Sequence, residues 1–231
     1  MKTLGIIGGM SPASTVLYYQ SINQLVNQAC GANTSAPLLI DSLNFEVIAN
    51  LQRQGEWQAM GRILANSAKR LCELGADGIL LATNTMHKVA DDIQAVIDVP
   101  FIHIVDATAG AIGQQSITRV ALLGTAFTMS ETFYRDKMAE FGIECIVPTP
   151  SEQAVIHQII FDELTLGVVR DESKQAYLTI IQALLEKGAQ AVVLGCTEIG
   201  LLINEADVPV PVFDTAQIHA MAGATFILSS D

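Results

Sequence analysis

The sequence predicts an α/β fold of two similar lobes, each built on a mostly parallel sheet. Three observations predict it. Short apolar runs alternate with amphipathic helical stretches along the 231 residues. One helix–strand segment recurs 113 positions later in the chain. Glycines and small polar residues stand at the carboxyl ends of four runs, where open parallel sheets bind ligands.

The runs are Leu4-Gly5-Ile6-Ile7, Leu38-Leu39-Ile40, Gly78-Ile79-Leu80-Leu81, Val120-Ala121-Leu122-Leu123, Cys145-Ile146-Val147 and Ala191-Val192-Val193-Leu194. Unbroken apolarity, in place of polar alternation, marks strands covered on both faces. The stretches 57–74 and 173–187 carry helical periodicity. Strands alternating with helices argue for βα units and a parallel sheet. The first run enters Gly8-Gly9-Met10-Ser11-Pro12. Here glycine lets the backbone approach a ligand, Ser11 caps a helix and Pro12 takes its first position. Such a helix start can seat an anion on its free N–H groups. A tight turn without a ligand is the other reading, and neither the dinucleotide nor the phosphate-loop spacing is present.

In the repeat, Glu73, Gly75, Ala76 and Leu81 recur as Glu186, Gly188, Ala189 and Leu194. Leu64, Ala68, Leu71 and Cys72 recur in kind as Tyr177, Ile181, Leu184 and Leu185, one face of a helix. A second echo, 116 positions apart, sets Gly5-Ile6-Ile7-Gly8 over Ala121-Leu122-Leu123-Gly124. Two lobes follow, 1–99 plus 211–231 and 100–210; if they face each other, Thr83 and Cys196 take equivalent positions on opposite walls of one cleft. The other reading is that the two segments resemble each other only because all helix–strand units do.

Hydrophobic residues form 50% of the chain and charged residues only 16%, enough to bury a large core and to exclude disorder. A net charge of −12 repels phosphate backbones and anionic lipid and argues against a nucleic-acid partner. A local pocket can still take a small anion. No apolar window approaches the roughly 18 residues of a membrane span, and Met1-Lys2 leads into a strand, not a signal peptide. Cys30, Cys72, Cys145 and Cys196 form no CxxC pair, which predicts free thiols in a reducing cytoplasm and no zinc or other metal site.

Of the four cysteines only Cys196 ends an apolar strand; Cys72 and Cys145 fall within core patterns and Cys30 at a helix end. If a helix begins after Cys196, its amides favour the thiolate. A buried, inert cysteine is the alternative. Thr83-Asn84-Thr85-Met86-His87 joins hydroxyls, a carboxamide and an imidazole, groups that suit an amino acid's carboxylate and ammonium. His87 could serve as acid or base, or as a packed, hydrogen-bonded residue. Thr125, after Gly124, could serve the second lobe in the same way or simply cap a helix.

Gly5–Pro12, Asn84-Thr85-Met86-His87 and Leu194-Gly195-Cys196-Thr197-Glu198 together resemble three signatures of the aspartate/glutamate racemase superfamily, in order and across nearly the whole chain. The resemblance implies two pseudo-symmetric α/β domains with the active-site cleft between them, a homodimer, and no cofactor. It implies a small amino-acid substrate whose α-proton is removed by one cysteine and returned to the opposite face by another. Catalytic roles then fall to Cys196 and Thr83, and substrate contacts to Met10, Ser11, Gln52, Asn84, Thr85, Thr125, Thr197 and Glu198. The sequence departs from the pattern at Thr83, where family racemases carry Cys. A Thr hydroxyl is no resting base at pH 7, so Thr83 would act as hydrogen-bond donor, as a relay through water, or as a base only when activated. Asymmetric α-proton removal is the expectation. Basic residues that hold a side-chain carboxylate in aspartate racemases align near Gln52-Arg53 and Thr165; Arg53 could supply the charge and Thr165 could not. Two other readings compete: a single-cysteine decarboxylase or lyase of the same superfamily, and an amino-acid-binding protein without turnover.

Overall fold

The structure is a computed structural model and describes residues 1–229. Among these, the chain runs β1 (Leu4–Gly8), α1 (Pro12–Cys30), β2 (Leu38–Ser42), α2 (Phe45–Gln54), α3 (Trp57–Glu73), β3 (Gly78–Leu81), α4 (Ala90–Gln94), β4 (Phe101–Ile102) and α5 (Ile104–Gly113). It continues with β5 (Arg119–Gly124), α6 (Ala126–Ser130), α7 (Thr132–Ala139), β6 (Glu144–Ile146), α8 (Pro150–Asp162), α9 (Asp171–Glu186), β7 (Ala191–Gly195), β8 (Val212–Asp214) and α10 (Thr215–Leu228). A 3-10 turn over Thr85–Val89 precedes α4, and others follow α8 and β7. No helix of the described residues is long and apolar enough to cross a membrane.

Two four-stranded sheets form, with orders β2-β1-β3-β4 and β6-β5-β7-β8, and all pairings are parallel. The two sheets share one topology, and the sequence repeat is its source. Leu4 pairs with Gly78 as Val120 pairs with Ala191. The match extends to single hydrogen bonds. Gly75 and Gly188 end α3 and α9 at φ +94 and +95. The N–H groups of Ala76 and Ala189 reach back to Leu71 O at 3.0 Å and Leu184 O at 3.1 Å. Asp77 N–H then donates to Thr3 O, and Gln190 N–H to Arg119 O. A residue with a Cβ is costly at such a φ, so glycine is required where the chain turns from helix into strand.

Each sheet carries its own core. In the first, Ile7, Met60, Leu64, Leu71, Ile79 and Leu81 pack together; in the second, Leu123, Ile160, Tyr177, Ile181, Leu184 and Leu194. Each fully buried aliphatic side chain contributes about 2 kcal/mol of transfer free energy. The helical spacing read from the sequence thus becomes the face that α3 and α9 turn to their sheets.

The crossovers fall later than boundaries at 99/100 and 210/211 would place them. Phe101–Ile102 still pairs with β3, and Val212–Asp214 pairs with β7, so the 210–214 stretch belongs to the second sheet and does not return the chain to the first. One compact unit comprises Met1–Ile104 with His219 onward; the other comprises Val105–Ile218. Pro100 and Pro211 read as breaks because proline lacks an N–H. Their carbonyls nonetheless accept from Ile79 and Val192, each at 2.9 Å, and so start the edge strands.

Candidate active site

In the first unit the loop after β1 is held from within. Gly9 has φ +86, and a Cβ there would collide with the backbone of Leu43. Gly9 N–H donates to Thr15 Oγ1 at 2.7 Å, and the Thr15 hydroxyl donates on to Ser11 O at 2.9 Å. Ser11 and Ser14 cap each other: Ser14 N–H donates to Ser11 Oγ at 3.2 Å and Ser11 N–H to Ser14 Oγ at 3.1 Å. Met10 and Ser11 are thereby buried at the carboxyl end of β1. On the neighbouring strand, Ala82 N–H extends the ladder to Ile7 O, which brings Thr83 alongside the Gly9–Met10 turn. Thr83 is half-buried; Asn84 and Thr85 are buried where the 3-10 turn begins. Gln52 lies with Ile48 and Ala49 on the inner face of α2. Arg53, one position on, faces solvent and pairs with Glu46 at 3.0 Å.

The second unit repeats the arrangement with different chemistry. Register between β5 and β7 sets Gly124 beside Gly195, so Thr125 and Cys196 leave adjacent strand ends. Thr125 caps α6 by accepting from Thr128 N–H at 3.3 Å, and Ala126 N–H donates to His157 Nδ1 at 3.2 Å. Cys196 is 8% exposed. Its thiol donates to Glu198 Oε2 at 3.1 Å, and the Thr197 hydroxyl donates to the same oxygen at 2.6 Å. Burial, then the Glu198 carboxylate, push the Cys196 thiol well above its ordinary value, and the backbone N–H groups of Glu198 and Thr197 offset only part of that.

The last point corrects the expectation of a favoured thiolate. Only a three-residue 3-10 turn, Ile199–Leu201, follows Cys196, and a carboxylate shares its site. The resting group is the thiol, with a proton acceptor in contact. Of the two positions weighed for a side-chain cation, Arg53 turns outward, and the Thr165 hydroxyl donates to Phe161 O at 2.9 Å. Met10, Ser11, Thr83, Asn84 and Thr85 therefore follow the two central strands of the first unit, and Thr125, Cys196, Thr197 and Glu198 those of the second, whereas Gln52 stands on α2. Sequence reasoning missed what the histidines hold. His87 grips Thr83 through its carbonyl, and His157 grips the start of α6. His87 was visible inside a motif, whereas His157 had no signal. Among the described residues no group of three or more His, Cys, Asp and Glu side chains is arranged to hold a metal ion.

A duplicated parallel α/β unit, with Thr83 two residues beyond β3 in one copy and Cys196 directly after β7 in the other, defines the class of two-lobed parallel α/β proteins. The chain belongs to the Asp/Glu/Hydantoin racemase family, whose model matches residues 7–223. That family places it among the isomerases. A crystal structure from Yersinia pestis assigned to the Asp/Glu racemases is 46% identical with a TM-score of 0.94, over 99% of this chain and 100% of that one. An aspartate racemase homologue from Pyrococcus horikoshii is 37% identical with a TM-score of 0.86, over the same shares. A broad specificity amino-acid racemase of Bacillus subtilis is 24% identical over 98% of both chains.

Proposed function

We propose that this protein is a cofactor-independent racemase that inverts the α-carbon of aspartate, glutamate or a related polar amino acid, with Cys196 and Thr83 serving opposite faces of the substrate. One observation carries the reading. Thr83 and Cys196 lie two residues beyond Leu81 and Leu194, which are equivalent positions of β3 and β7 in two sheets of the same topology. A two-base reaction at one carbon needs two groups on opposite faces, and duplication is one way to supply equivalent positions for them.

Cys196 passes its proton to Glu198, at 3.1 Å, and the thiolate takes the α-proton. The resulting carbanion is quenched from the opposite face by the Thr83 hydroxyl, whose alkoxide takes a proton from water; the hydroxide left behind accepts the proton held on Glu198, which returns both sides to their starting states. Met10, Ser11, Asn84, Thr85, Thr125 and Thr197 offer hydroxyls, amides and backbone N–H groups to the amino-acid head, and Glu198 also faces its ammonium. Gln52, buried on α2, meets the side chain. With Arg53 turned to solvent, that contact suits a polar group as well as a carboxylate. The broad specificity in the name of the Bacillus subtilis relative fits such a pocket. We further place the enzyme in the cytoplasm as a homodimer, consistent with its unpaired cysteines and its family resemblance.

Because enantiomers have equal free energy, kcat/KM must be equal in the two directions of a full racemisation. The asymmetry between thiol and hydroxyl therefore shows in α-proton exchange. In D₂O, the enantiomer whose α-hydrogen faces Cys196 exchanges quickly and inverts more slowly. The test is NMR of α-proton loss for each enantiomer of aspartate, glutamate and homoserine, beside Cys196→Ala. Exchange that vanishes in the variant supports the reading. No exchange with any amino acid overturns it and turns attention to a lyase, tested on malonate-type acids.

A further inference from the structure

Three of the chain's four histidines, His87 among them, meet in the first unit. His87, on the 3-10 turn after β3, is 4% exposed. Its ring lies 4.5 Å from that of His103 and 5.8 Å from that of His219, centroid to centroid, with Phe101 at 5.7 Å. Each buried imidazole is held at both nitrogens, and the Asn84 backbone also hydrogen-bonds to His87. His87 Nδ1 is 2.7 Å from Thr83 O, and His87 Nε2 is 3.2 Å from Ile104 N. His219 Nε2 is 2.7 Å from Ile102 O, and its Nδ1 is 2.9 Å from the Tyr18 hydroxyl.

The partners decide the protons. A carbonyl oxygen can only accept and a backbone amide can only donate. His87 therefore carries its proton on Nδ1 and a lone pair on Nε2, and His219 the reverse. An imidazolium at His87 would set N–H against the N–H of Ile104. Burial first, then the neighbouring His103 and His219, hold the ring neutral against the backbone hydrogen bonds to Thr83 and Asn84, which favour its protonation. The neutral ring spans from the carbonyl of Thr83 to the backbone at Ile104, where the chain leaves the first unit. His219 pins the same stretch two residues earlier, at Ile102.

We infer that His87 is a positioning residue for the Thr83 face: as its Nδ1–H tautomer it fixes the Thr83 peptide plane, and with it the direction of the hydroxyl, and it takes no substrate proton itself. The inference rests on the racemase reading for its effect on turnover. A neutral ring with both nitrogens occupied by backbone groups is unavailable as acid or base. The orientation of one peptide plane decides where a side chain of two rotatable bonds can reach, and misplacement of a reacting group by a fraction of an ångström is costly.

The two amide analogues of histidine separate the bonds. In His87→Asn the carboxamide N–H₂ falls near Nδ1 and keeps the donor to Thr83 O. In His87→Gln the carboxamide oxygen reaches the Nε2 position and keeps the acceptor for Ile104 N–H. For the enantiomer exchanged by Cys196, the readout is inverted product per deuterium incorporated. Loss of the Thr83 clamp in His87→Gln lowers that ratio about tenfold, while exchange itself changes little. His87→Asn holds the ratio near that of the parent. A ratio unchanged in both variants, or exchange and inversion falling together in both, overturns the inference, the second outcome marking a merely structural role. Long-range ¹H–¹⁵N correlation in the unmutated protein supplies a readout independent of turnover: protonation at Nε2, or at both nitrogens, also overturns it. Were the unmutated protein to exchange nothing, the racemase reading would fall. The tautomer, and faster amide exchange at Ile104 in His87→Asn than in His87→Gln, would still decide whether the clamp exists.

Discussion

At Cys196 two carbonyl-side neighbours set the chemistry more than the sulfur does. Glu198 sits at 3.1 Å from Sγ and raises the thiol along with burial, so the resting side chain is protonated and shielded. Thiolate is the species that alkylates. Iodoacetamide is therefore expected to modify exposed Cys30 well before Cys196 in the unliganded protein, as peptide mapping of a time course would read. Modification of Cys196 first would mean that the amides of Thr197 and Glu198 win over the carboxylate. Thr83 poses the complementary question. Thr83→Cys places an acid with a reference pKa of about 8.5 where a hydroxyl stands. Inversion of the amino acid per exchange event is expected to rise; an unchanged ratio in ¹H NMR and chiral chromatography would count against Thr83 serving the second face. The motif residues were legible one by one because each ends an apolar run. That Glu198 turns to the thiol and Arg53 to solvent was not, since side-chain direction depends on neighbours contributed by other segments.

For elements, the duplicated α3–β3 and α9–β7 segments make the strongest claim. Gly75 and Gly188 hold the same left-handed turn, but their surroundings differ. Around Gly75 a Cβ meets nothing within 4 Å, whereas at Gly188 it would press on the Arg119 guanidinium. Gly75→Ala thus isolates the backbone term and should cost about 1–2 kcal/mol in urea unfolding. Gly188→Ala should cost more. Equal values would show that Arg119, 41% exposed at its side chain, swings aside. Gly9→Ala should be the most damaging of the three, because the obstacle there is the Leu43 backbone, which cannot move aside as a side chain does. Helices α3 and α9 were readable from spacing, and β1, β2, β3, β5, β6 and β7 from unbroken apolar runs. The edge strands β4 and β8 were not, because each is short and directly follows a proline that reads as a break.

For the molecule as a whole, buried histidines contribute to the loss of stability toward acid. His219 is pushed down to about 3 by burial, and His87 lies well below its ordinary value for the same reason. Both are neutral when folded and take up a proton when unfolded near their ordinary value of about 6.5. The stability they contribute is fully present above that value and is lost as pH falls toward the folded value. Each steepens the loss toward about 1.4 kcal/mol per pH unit below pH 6. Asp214, raised by burial, opposes this at lower pH. Urea midpoints measured from pH 7 to pH 4 should fall, and His219→Asn, which removes one of the two groups, should flatten the slope even if it lowers the midpoint at pH 7. A slope unaltered by that substitution would mean that His219 is not a neutral, buried base.

Legible along the chain were the parallel α/β class, the duplication, the family and the identity of the residues at four strand ends. Those properties are written in periodicity, glycine placement and short contiguous motifs, which need no knowledge of what lies across the core. Tertiary structure alone decided which sheet the short edge strands join, which way Arg53 and Glu198 point, and which nitrogen of His87 carries the proton. Each depends on partners far along the chain or on burial, as Ile104 N–H and the surrounding rings do for His87. A linear pattern names the side chain, but the field and the hydrogen-bond partners around it exist only once the chain has folded.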